Sequence, residues 1–237
     1  FNRNRVTELY GGKPELKGLK RLEEGRDMDE WYLREWAGVD PANGSPLWYT
    51  TDENGKRTTT DSYNKADRVY CGSAAPKFTG GWMNSFSYKG FTLTANFDFV
   101  YGNLLYNQSR ELLDSDGAYA DYNSMKLKSG WKRWEKEGDI ATHPKAINGG
   151  NKNSNKSSSR YLEKGNYFSL RNLSLGYSIP EKLCGKLGLQ RVNVSCSADN
   201  LFTLTPFSGV SPQLSDSSTA VSYTHLRAHE TRHDIVC

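Results

Sequence analysis

Trp82–Tyr101 reads WMNSFSYKGFTLTANFDFVY, and this stretch decides the fold. Aromatic and aliphatic side chains recur at alternate positions on both sides of Lys89-Gly90, and small or polar residues fill most positions between them. Such alternation is typical of strands with two different faces, and a two-residue turn that contains glycine predicts a β-hairpin. The run that begins at Phe91 is long enough to cross a bilayer when the strand is tilted.

Two more segments, Tyr161–Ile179 and Arg191–Thr205, alternate in the same way. In both, mainly Leu, Tyr, Val and Ala occupy one face of the predicted strand, and Asn, Ser and Gly occupy the other. An apolar face for lipid and a polar face for water is the pattern of strands in outer-membrane barrels. The sequence therefore predicts an all-β fold with at least four amphipathic, antiparallel strands.

The connections between these strands differ greatly in length. Lys89-Gly90 and Pro180–Gln190 are short, whereas Gln108–Arg160 is long and includes the low-complexity run Asn148–Ser159. Within the long connection, Met125–Lys136 predicts a short helix. Short turns face the periplasm and long loops face the outside in outer-membrane barrels, so this alternation predicts the orientation of the strands.

The first seventy residues carry weaker patterns. Asn4–Tyr10, Asp29–Trp36 and Leu47–Thr51 predict short strands, because turn-forming residues such as Tyr10-Gly11-Gly12 and Glu53-Asn54-Gly55 separate them. No repeat of fixed period is present, which argues against a solenoid or a propeller.

Composition agrees with a β-rich protein and excludes several other classes. The apolar share is 36% and the mean hydropathy is -0.75, yet the chain has 14 Tyr and 6 Trp. The net charge of +4 includes no basic block with interleaved aromatic residues, so we expect no nucleic-acid partner. The four cysteines show no CxxC spacing, which argues against a disulfide framework or a zinc ribbon.

Several segments together resemble the C-terminal part of the SusC/RagA family of TonB-dependent transporters, and they occur in the order of that family. They cover most of residues 1–212. The matching segments are WAGVDPANGSPLWYT (Trp36–Thr50), PKFTGGWMNSFSYKGFTLTANFDFVYGNLLYN (Pro76–Asn107), WEKEGDIATHP (Trp134–Pro144), SSRYLEKGNYFSLRNLSLGYSIP (Ser158–Pro180) and VNVSCSADNLFTLTPFSGVSP (Val192–Pro212).

The resemblance implies an antiparallel transmembrane β-barrel fragment with long extracellular loops. The family's barrel is 22-stranded and holds an N-terminal plug. We expect this chain to lack the plug and the last strand, because no alternating segment follows Pro212. On this interpretation residues 1–212 form the C-terminal part of the receptor barrel, and residues 213–220 stay unassigned.

The resemblance also implies transport rather than catalysis. The intact protein would lie in the outer membrane of a Gram-negative bacterium of the Bacteroidota, as a multi-pass β-barrel. It would import glycans or peptides with a SusD-like surface lipoprotein over its loops. The TonB–ExbB–ExbD complex would drive uptake through the missing N-terminal region. Outer-membrane lipid would surround the barrel, and no cofactor is expected.

Trp131 and Trp134 are candidates for substrate-facing residues of the long loop. An aromatic ring can stack on the apolar face of a sugar, but the same residues could pack the loop or mark an aromatic girdle. Asp199-Asn200-Leu201-Phe202 leaves a similar choice. It could contact a ligand, or it could be a polar interruption of a strand near the loop side.

The last residues contain HETRH, which matches the zinc-protease pattern H-E-x-x-H. His229 and His233 could bind zinc, with Glu230 as the general base. We interpret this motif as false, because a chain end offers neither a rigid scaffold nor a further ligand. Residues 221–237 resemble translated sequencing-adapter read-through and are excluded from domain assignment. We therefore predict no catalytic residue and no metal.

Two other functions are compatible with parts of this pattern. A secreted β-sandwich module could bind carbohydrate through its Trp and Tyr residues, but its strands would be short. A zinc hydrolase would depend on the tail alone. The length of the strand that begins at Phe91 favours the membrane barrel over the β-sandwich.

Overall fold

The computed structural model describes residues 1–119, 121–122, 125–186 and 188–213. This part of the chain is all-β and contains antiparallel sheets, which confirms the all-β, antiparallel part of the predicted fold class. The transmembrane barrel and its extracellular loops stay predictions. The principal sheet has four strands in the order β13-β12-β9-β8. Its strands are β8 (Phe78–Tyr88), β9 (Phe91–Tyr101), β12 (Tyr167–Ser178) and β13 (Asn193–Leu204).

The alternating segments of the sequence form these four strands. The pairing Trp82↔Phe97 of β8 and β9 aligns aromatic residues on one face, and Ser85↔Thr94 aligns polar residues on the other. Within the described chain, β8 and β13 each pair on one side only, so the sheet stays open. Each of the four strands has 11 or 12 residues, the length that a tilted membrane strand needs.

A two-residue turn, Lys89-Gly90, joins β8 to β9 as predicted. Lys89 has a φ of 45° and Gly90 a φ of 86°, and positive φ at both central residues is what a type I′ turn requires. A Cβ atom on Gly90 would lie 2.8 Å from the carbonyl oxygen of Ser178. Glycine is therefore needed here for both its conformation and its size.

Replacing Gly90 by alanine should destabilise the protein by roughly 1–3 kcal/mol, because the new methyl group is strained and meets Ser178. The free energy of unfolding of the intact protein would be measured by denaturant titration of the variant and the wild type. Gly130→Ala is the matched control, since Gly130 has a φ of 84° and nothing within 4 Å of the added atom. Equal losses in the two variants would contradict the steric part of this prediction.

The remaining strands form three smaller sheets at the opposite end from this turn. One has the order β1-β2-β3-β7, another β4-β5-β6, and the last pairs β10 with β11. Their bounds are β1 (Glu15–Lys17), β2 (Lys20–Leu22), β3 (Glu30–Arg34), β4 (Trp36–Val39), β5 (Pro46–Thr51), β6 (Arg57–Thr60), β7 (Arg68–Ser73), β10 (Leu104–Tyr106) and β11 (Leu162–Lys164).

We call residues 1–77 and 102–166 together the cap, because they attach at the same end of the principal sheet. Their common core contains Trp31, Leu33 and Ala74, which are at most 9% exposed. The indole nitrogen of Trp31 donates a 2.9 Å hydrogen bond to the carbonyl oxygen of Leu104. The two cap segments, which β8 and β9 separate in the sequence, therefore share one core.

The helices among the described residues are short. They are α1 (Gln108–Leu113) and α2 (Glu181–Lys186), with single 3-10 turns at Tyr10–Gly12, Tyr63–Lys65 and Ser159–Tyr161. No helix in the described residues has the length and apolar character needed to span a membrane.

Two local predictions were wrong. Residues 125–136 are not helical, because Gly130 has a φ of 84° and the Trp134 amide donates to the carbonyl oxygen of His143 instead. Asn4–Tyr10 is not a strand, whereas β3 and β5 lie where Asp29–Trp36 and Leu47–Thr51 predicted strands.

Candidate functional site

The principal sheet has one apolar face that the described residues leave largely exposed. Trp82 is 60% exposed and Phe86 63% exposed, although both belong to a regular, fully paired region of β8 and β9. An apolar surface of this kind marks contact with lipid or with another apolar surface. The face carries Phe78, Trp82, Phe86, Tyr88, Phe91, Leu93, Ala95, Phe97, Phe99, Tyr101, Phe168, Leu170, Leu173, Leu175, Tyr177, Val194, Cys196, Ala198, Phe202 and Leu204.

Aromatic rings pack against each other across the strands of this face. Phe97 stacks on Trp82 with ring centroids 5.7 Å apart and on Phe168 with centroids 5.4 Å apart. Phe99 covers Gly80, where an added Cβ atom would lie 2.6 Å from the ring. Offset ring stacking adds to apolar burial and keeps the face ordered.

The opposite face is polar and includes a charged pair. Arg171 donates from Nε to Oδ1 of Asp98 at 2.8 Å, and the Tyr167 hydroxyl donates to Oδ2 of Asp98 at 3.1 Å. The register of β12 shifts between Leu170 and Asn172, so Arg171 is an extra residue in a β-bulge. Bulges redirect side chains. This bulge brings Arg171 to the polar face.

The predicted interruption Asp199-Asn200-Leu201-Phe202 forms the matching irregularity on β13. Asn200 has a φ of 52°, and the register against β12 shifts at the same level. Asn172 donates to Asp199 at 2.8 Å. These contacts support the simpler interpretation, in which polar residues interrupt a strand; a ligand contact stays a prediction.

The cap contains a buried ion cluster that sequence reasoning did not identify. The side chains of Asp114 and Asp116 are fully buried, and those of Arg110 and Arg160 are at most 7% exposed. We define the ion cluster as Arg110, Asp114, Asp116, Arg133, His143, Arg160 and Glu163. Three arginines face three carboxylates, so the formal charges balance without His143.

Each buried carboxylate has several partners. Asp116 accepts from Nη1 of Arg133 at 2.7 Å, from Arg160, and from the Ser154 hydroxyl at 2.6 Å. Oδ2 of Asp114 lies 3.0 Å from Nη2 of Arg110. Removing one partner of such a buried set leaves an uncompensated charge in a medium of low dielectric constant. We therefore expect the loss of any single arginine to destabilise the cluster.

The cluster also connects the cap to the end of the principal sheet. Glu163 accepts from Nη1 of Arg110 at 3.0 Å. Its two carboxylate oxygens accept from the hydroxyl and the backbone amide of Ser208, each at 2.6 Å. Ser208 lies in the segment that follows β13. The ion cluster thus holds the long connection in a defined position relative to the strands.

His143 is a buried member of the ion cluster and contacts Asp114. Its Nε2 atom lies 2.9 Å from Oδ2 of Asp114, and its Nδ1 atom lies 2.8 Å from the Thr142 hydroxyl. Burial by itself raises the pKa of Asp114. The hydrogen bond with His143 and the charges of Arg160 and Arg110 outweigh burial, and the net effect lowers the pKa of Asp114 below its ordinary value of 3.8.

Acid should therefore loosen the cap. A carboxylate whose pKa is lowered by folding stabilises the folded state above its ordinary pKa and loses this contribution as the pH falls through the lowered pKa. In the intact protein, we expect the protection of backbone amides in the described part of residues 102–166, relative to the unfolded chain at the same pH, to decrease as the pH falls below about 4. Asp114→Asn should make exchange faster at neutral pH and less dependent on acid. Exchange in wild type that does not respond to this pH change would contradict the prediction.

The structure places both candidate tryptophans beside this cluster. Trp134 is 8% exposed, and its Nε1 atom donates to the carbonyl oxygen of Pro41 at 2.9 Å. Trp131 is half-buried, with the Arg110 guanidinium 4.4 Å and the His143 ring 5.0 Å from its own ring. Both rings pack the cap in this arrangement, and a substrate-facing role for them stays a prediction.

His229, Glu230 and His233 lie outside the described residues, as do residues 221–237 as a whole. Among the residues that are described, no group of three or more His, Cys, Asp or Glu side chains is arranged to hold a metal ion.

Curated relatives of this chain are TonB-dependent receptors of Formosa agariphila. TonB-dependent receptor P3 is 30% identical over an alignment of 210 residues, and the match covers 81% of this chain and 19% of the relative. TonB-dependent receptor P39 is 31% identical over 158 residues, which are 65% of this chain and 15% of the relative. The chain thus spans about a fifth or less of the length of these relatives. No protein-family model matches the sequence.

Solved structures of similar fold are those of RagAB. The RagAB peptide transporter aligns with a TM-score of 0.75 and 26% identity over 90% of this chain and 24% of that chain. The RagAB peptide importer in the "closed-closed" state aligns with a TM-score of 0.72 and 27% identity, over 90% of this chain and 23% of that chain. Sequence and fold therefore point to the same group of proteins.

Proposed function

Because this chain belongs to the TonB-dependent receptors of the SusC/RagA type, we propose that it forms part of the wall and the extracellular cap of an outer-membrane importer. The apolar face of the principal sheet would contact lipid, and the polar face would line the lumen. In the intact protein, β8 and β13 would pair with neighbouring strands of a closed barrel, since lipid cannot satisfy an open strand edge.

The observation that carries this proposal is the two-faced sheet. Its apolar face includes side chains such as Trp82 and Phe86 that are more than half exposed, while Asp98 and Arg171 lie on the polar side. A soluble β-sandwich would cover such a face with a second sheet. In the described chain the face is uncovered, which favours a membrane barrel over the carbohydrate-binding module.

Connection lengths support one orientation in the membrane. The Lys89-Gly90 turn and the short connection 179–192 lie at one end, and the cap lies at the other. We place the short connections in the periplasm and the cap outside the cell, as in other outer-membrane barrels. The segment would comprise residues 1–212, with residues 213–220 unassigned and residues 221–237 a read-through tail.

The proposed activity is the uptake of a peptide or an oligosaccharide, and not catalysis. The similar RagAB structures are of a peptide transporter, which supports a peptide without excluding a glycan. A SusD-like surface lipoprotein would sit over the cap, and the TonB–ExbB–ExbD complex would act on a part of the parent outside this chain. The ion cluster would keep the cap loops in place for that partner and for the substrate.

A lipid quenching experiment tests the proposed wall. In the full-length parent, the tryptophans other than Trp82 would be replaced by phenylalanine. This variant would be reconstituted in vesicles whose lipids carry bromine on their acyl chains. We expect strong quenching of Trp82 fluorescence, whereas a Thr94→Trp reporter on the polar face in a Trp82→Phe background should be quenched much less. Equal quenching of the two reporters would contradict the assignment of the faces.

The transport function needs a cellular test. Deleting the gene of the parent should abolish growth on the peptide or glycan that the parent imports. A full-length copy of the gene, with residues 1–212 intact, should restore growth. Growth that persists without the parent would count against an importer.

A further inference from the structure

A recess lies on the apolar face where the principal sheet meets the cap. Its volume is about 480 Å³. The ends of all four strands and the residues just after β13 contribute to its lining. The side chains that form most of the wall are Phe78, Phe99, Tyr101, Phe168, Leu204 and Pro206.

The Thr205 hydroxyl and the Asn166 side-chain oxygen, which lie at its rim, already have hydrogen-bond partners within the protein. The Thr205 hydroxyl donates to the carbonyl oxygen of Asn166 at 2.8 Å and accepts from the Phe207 amide at 3.1 Å. The Asn166 side-chain oxygen accepts from the Gly102 amide at 2.7 Å. A ligand in the recess would therefore meet a wall that is almost entirely apolar.

This chemistry narrows the class of ligand. Water needs two or more polar partners, and a peptide or a sugar in the recess would lose its hydrogen bonds to solvent without gaining others. A flexible alkyl chain has no such requirement and can follow a curved aromatic wall. The recess is also continuous with the apolar face, which already contacts lipid in the proposed function.

We propose that the recess is a binding site for one acyl chain of a membrane lipid, held more tightly than the surrounding lipid. This inference rests on the proposed function, because the recess must lie in the membrane. The orientation given above places it in the outer leaflet, directly below the cap. The bound acyl chain would lie in the recess against Phe168, Phe78 and Leu204. It would thereby complete the apolar packing at this end of the principal sheet.

A photo-crosslinking experiment tests the site in the full-length parent. The protein would be reconstituted with a phospholipid that carries a diazirine in its acyl chain, and crosslinked peptides would be located by mass spectrometry. We expect the peptides that contain Phe78, Phe168 and Leu204 to be labelled several-fold more than the rest of the apolar face.

Leu204→Trp should reduce labelling at Phe78 and Phe168 several-fold, because the larger side chain occupies the recess. Leu93→Trp is the matched control: Leu93 is 39% exposed on the same face and does not line the recess. It should leave the labelling unchanged. Before labelling, both variants would be compared with the wild type for the change in gel migration that heating causes in a folded barrel. A variant with a folding defect would be recognised by the loss of this change.

The outcomes separate the two proposals. Uniform labelling along the apolar face would overturn the acyl-chain site and leave the lipid-facing wall intact. Labelling at the recess that Leu204→Trp does not reduce would also overturn the site. Absence of crosslinks on the whole apolar face would overturn both the site and the proposed wall.

Discussion

Replacing Arg160 by methionine should destabilise the cap by about 3–5 kcal/mol, because two buried carboxylates lose a shared partner. The Arg160 side chain is 3% exposed. It donates from Nη2 to Oδ1 of Asp116 at 3.1 Å and lies 3.4 Å from Oδ2 of Asp114. Methionine fills much of the same volume but cannot compensate either charge.

The loss would be measured by hydrogen exchange of backbone amides in residues 102–166 of the full-length parent. Lys152→Met is the matched control, because Lys152 pairs with Asp61 at an exposed position. Exposed pairs contribute about 0–1 kcal/mol. Exchange in the Arg160→Met variant that is no faster than in the control would show that the cluster does not stabilise the cap.

Arginine at position 95 should destabilise the membrane-inserted protein by about 2–4 kcal/mol, whereas arginine at position 94 should cost much less. Ala95 lies near the middle of β9 on the apolar face, with Asn84 and Leu173 as its strand partners. Thr94 lies on the polar face, one residue away. The two substitutions introduce the same charge at nearly the same depth and differ only in the face.

The comparison would be made by urea unfolding of the full-length parent in lipid vesicles. Ala95→Arg should lower the free energy of unfolding and the yield of folded protein in the membrane. Thr94→Arg should retain most of both, since its guanidinium can reach the water of the lumen. A similar loss in the two variants would contradict the assignment of lipid to one face and water to the other.

Short patterns such as the tail motif and the two candidate tryptophans leave more open than the long alternating segments do. H-E-x-x-H has chemical meaning only where a helix and a second shell of contacts support it. Trp131 and Trp134 could be nominated because their rings suit a sugar, but only the structure shows their contacts with Arg110 and Pro41. The type of a residue limits the contacts that its side chain can make, and the neighbouring residues determine which of these contacts form.

Sequence alone determined the principal sheet. The two-residue period is a local property of the chain, so β8, β9, β12 and β13 and their apolar face could be read without coordinates. The turn at Lys89-Gly90 was equally clear, because glycine is needed where φ is positive. The error at Met125–Lys136 arose because long-range hydrogen bonds overrode local helix propensity.

Only the tertiary structure decided the cap. Asp116 and Arg160 are 44 residues apart, and no periodic pattern connects them. Whether a charged residue is solvated or buried in an ion pair depends on which distant segments meet around it. The apolar core around Trp31 and Leu33 is likewise assembled from segments that are distant in the sequence. The β-bulge that brings Arg171 to Asp98 has the same origin, because it depends on register against two partner strands. Local periodicity therefore determined the principal sheet, and cooperative long-range packing determined the cap.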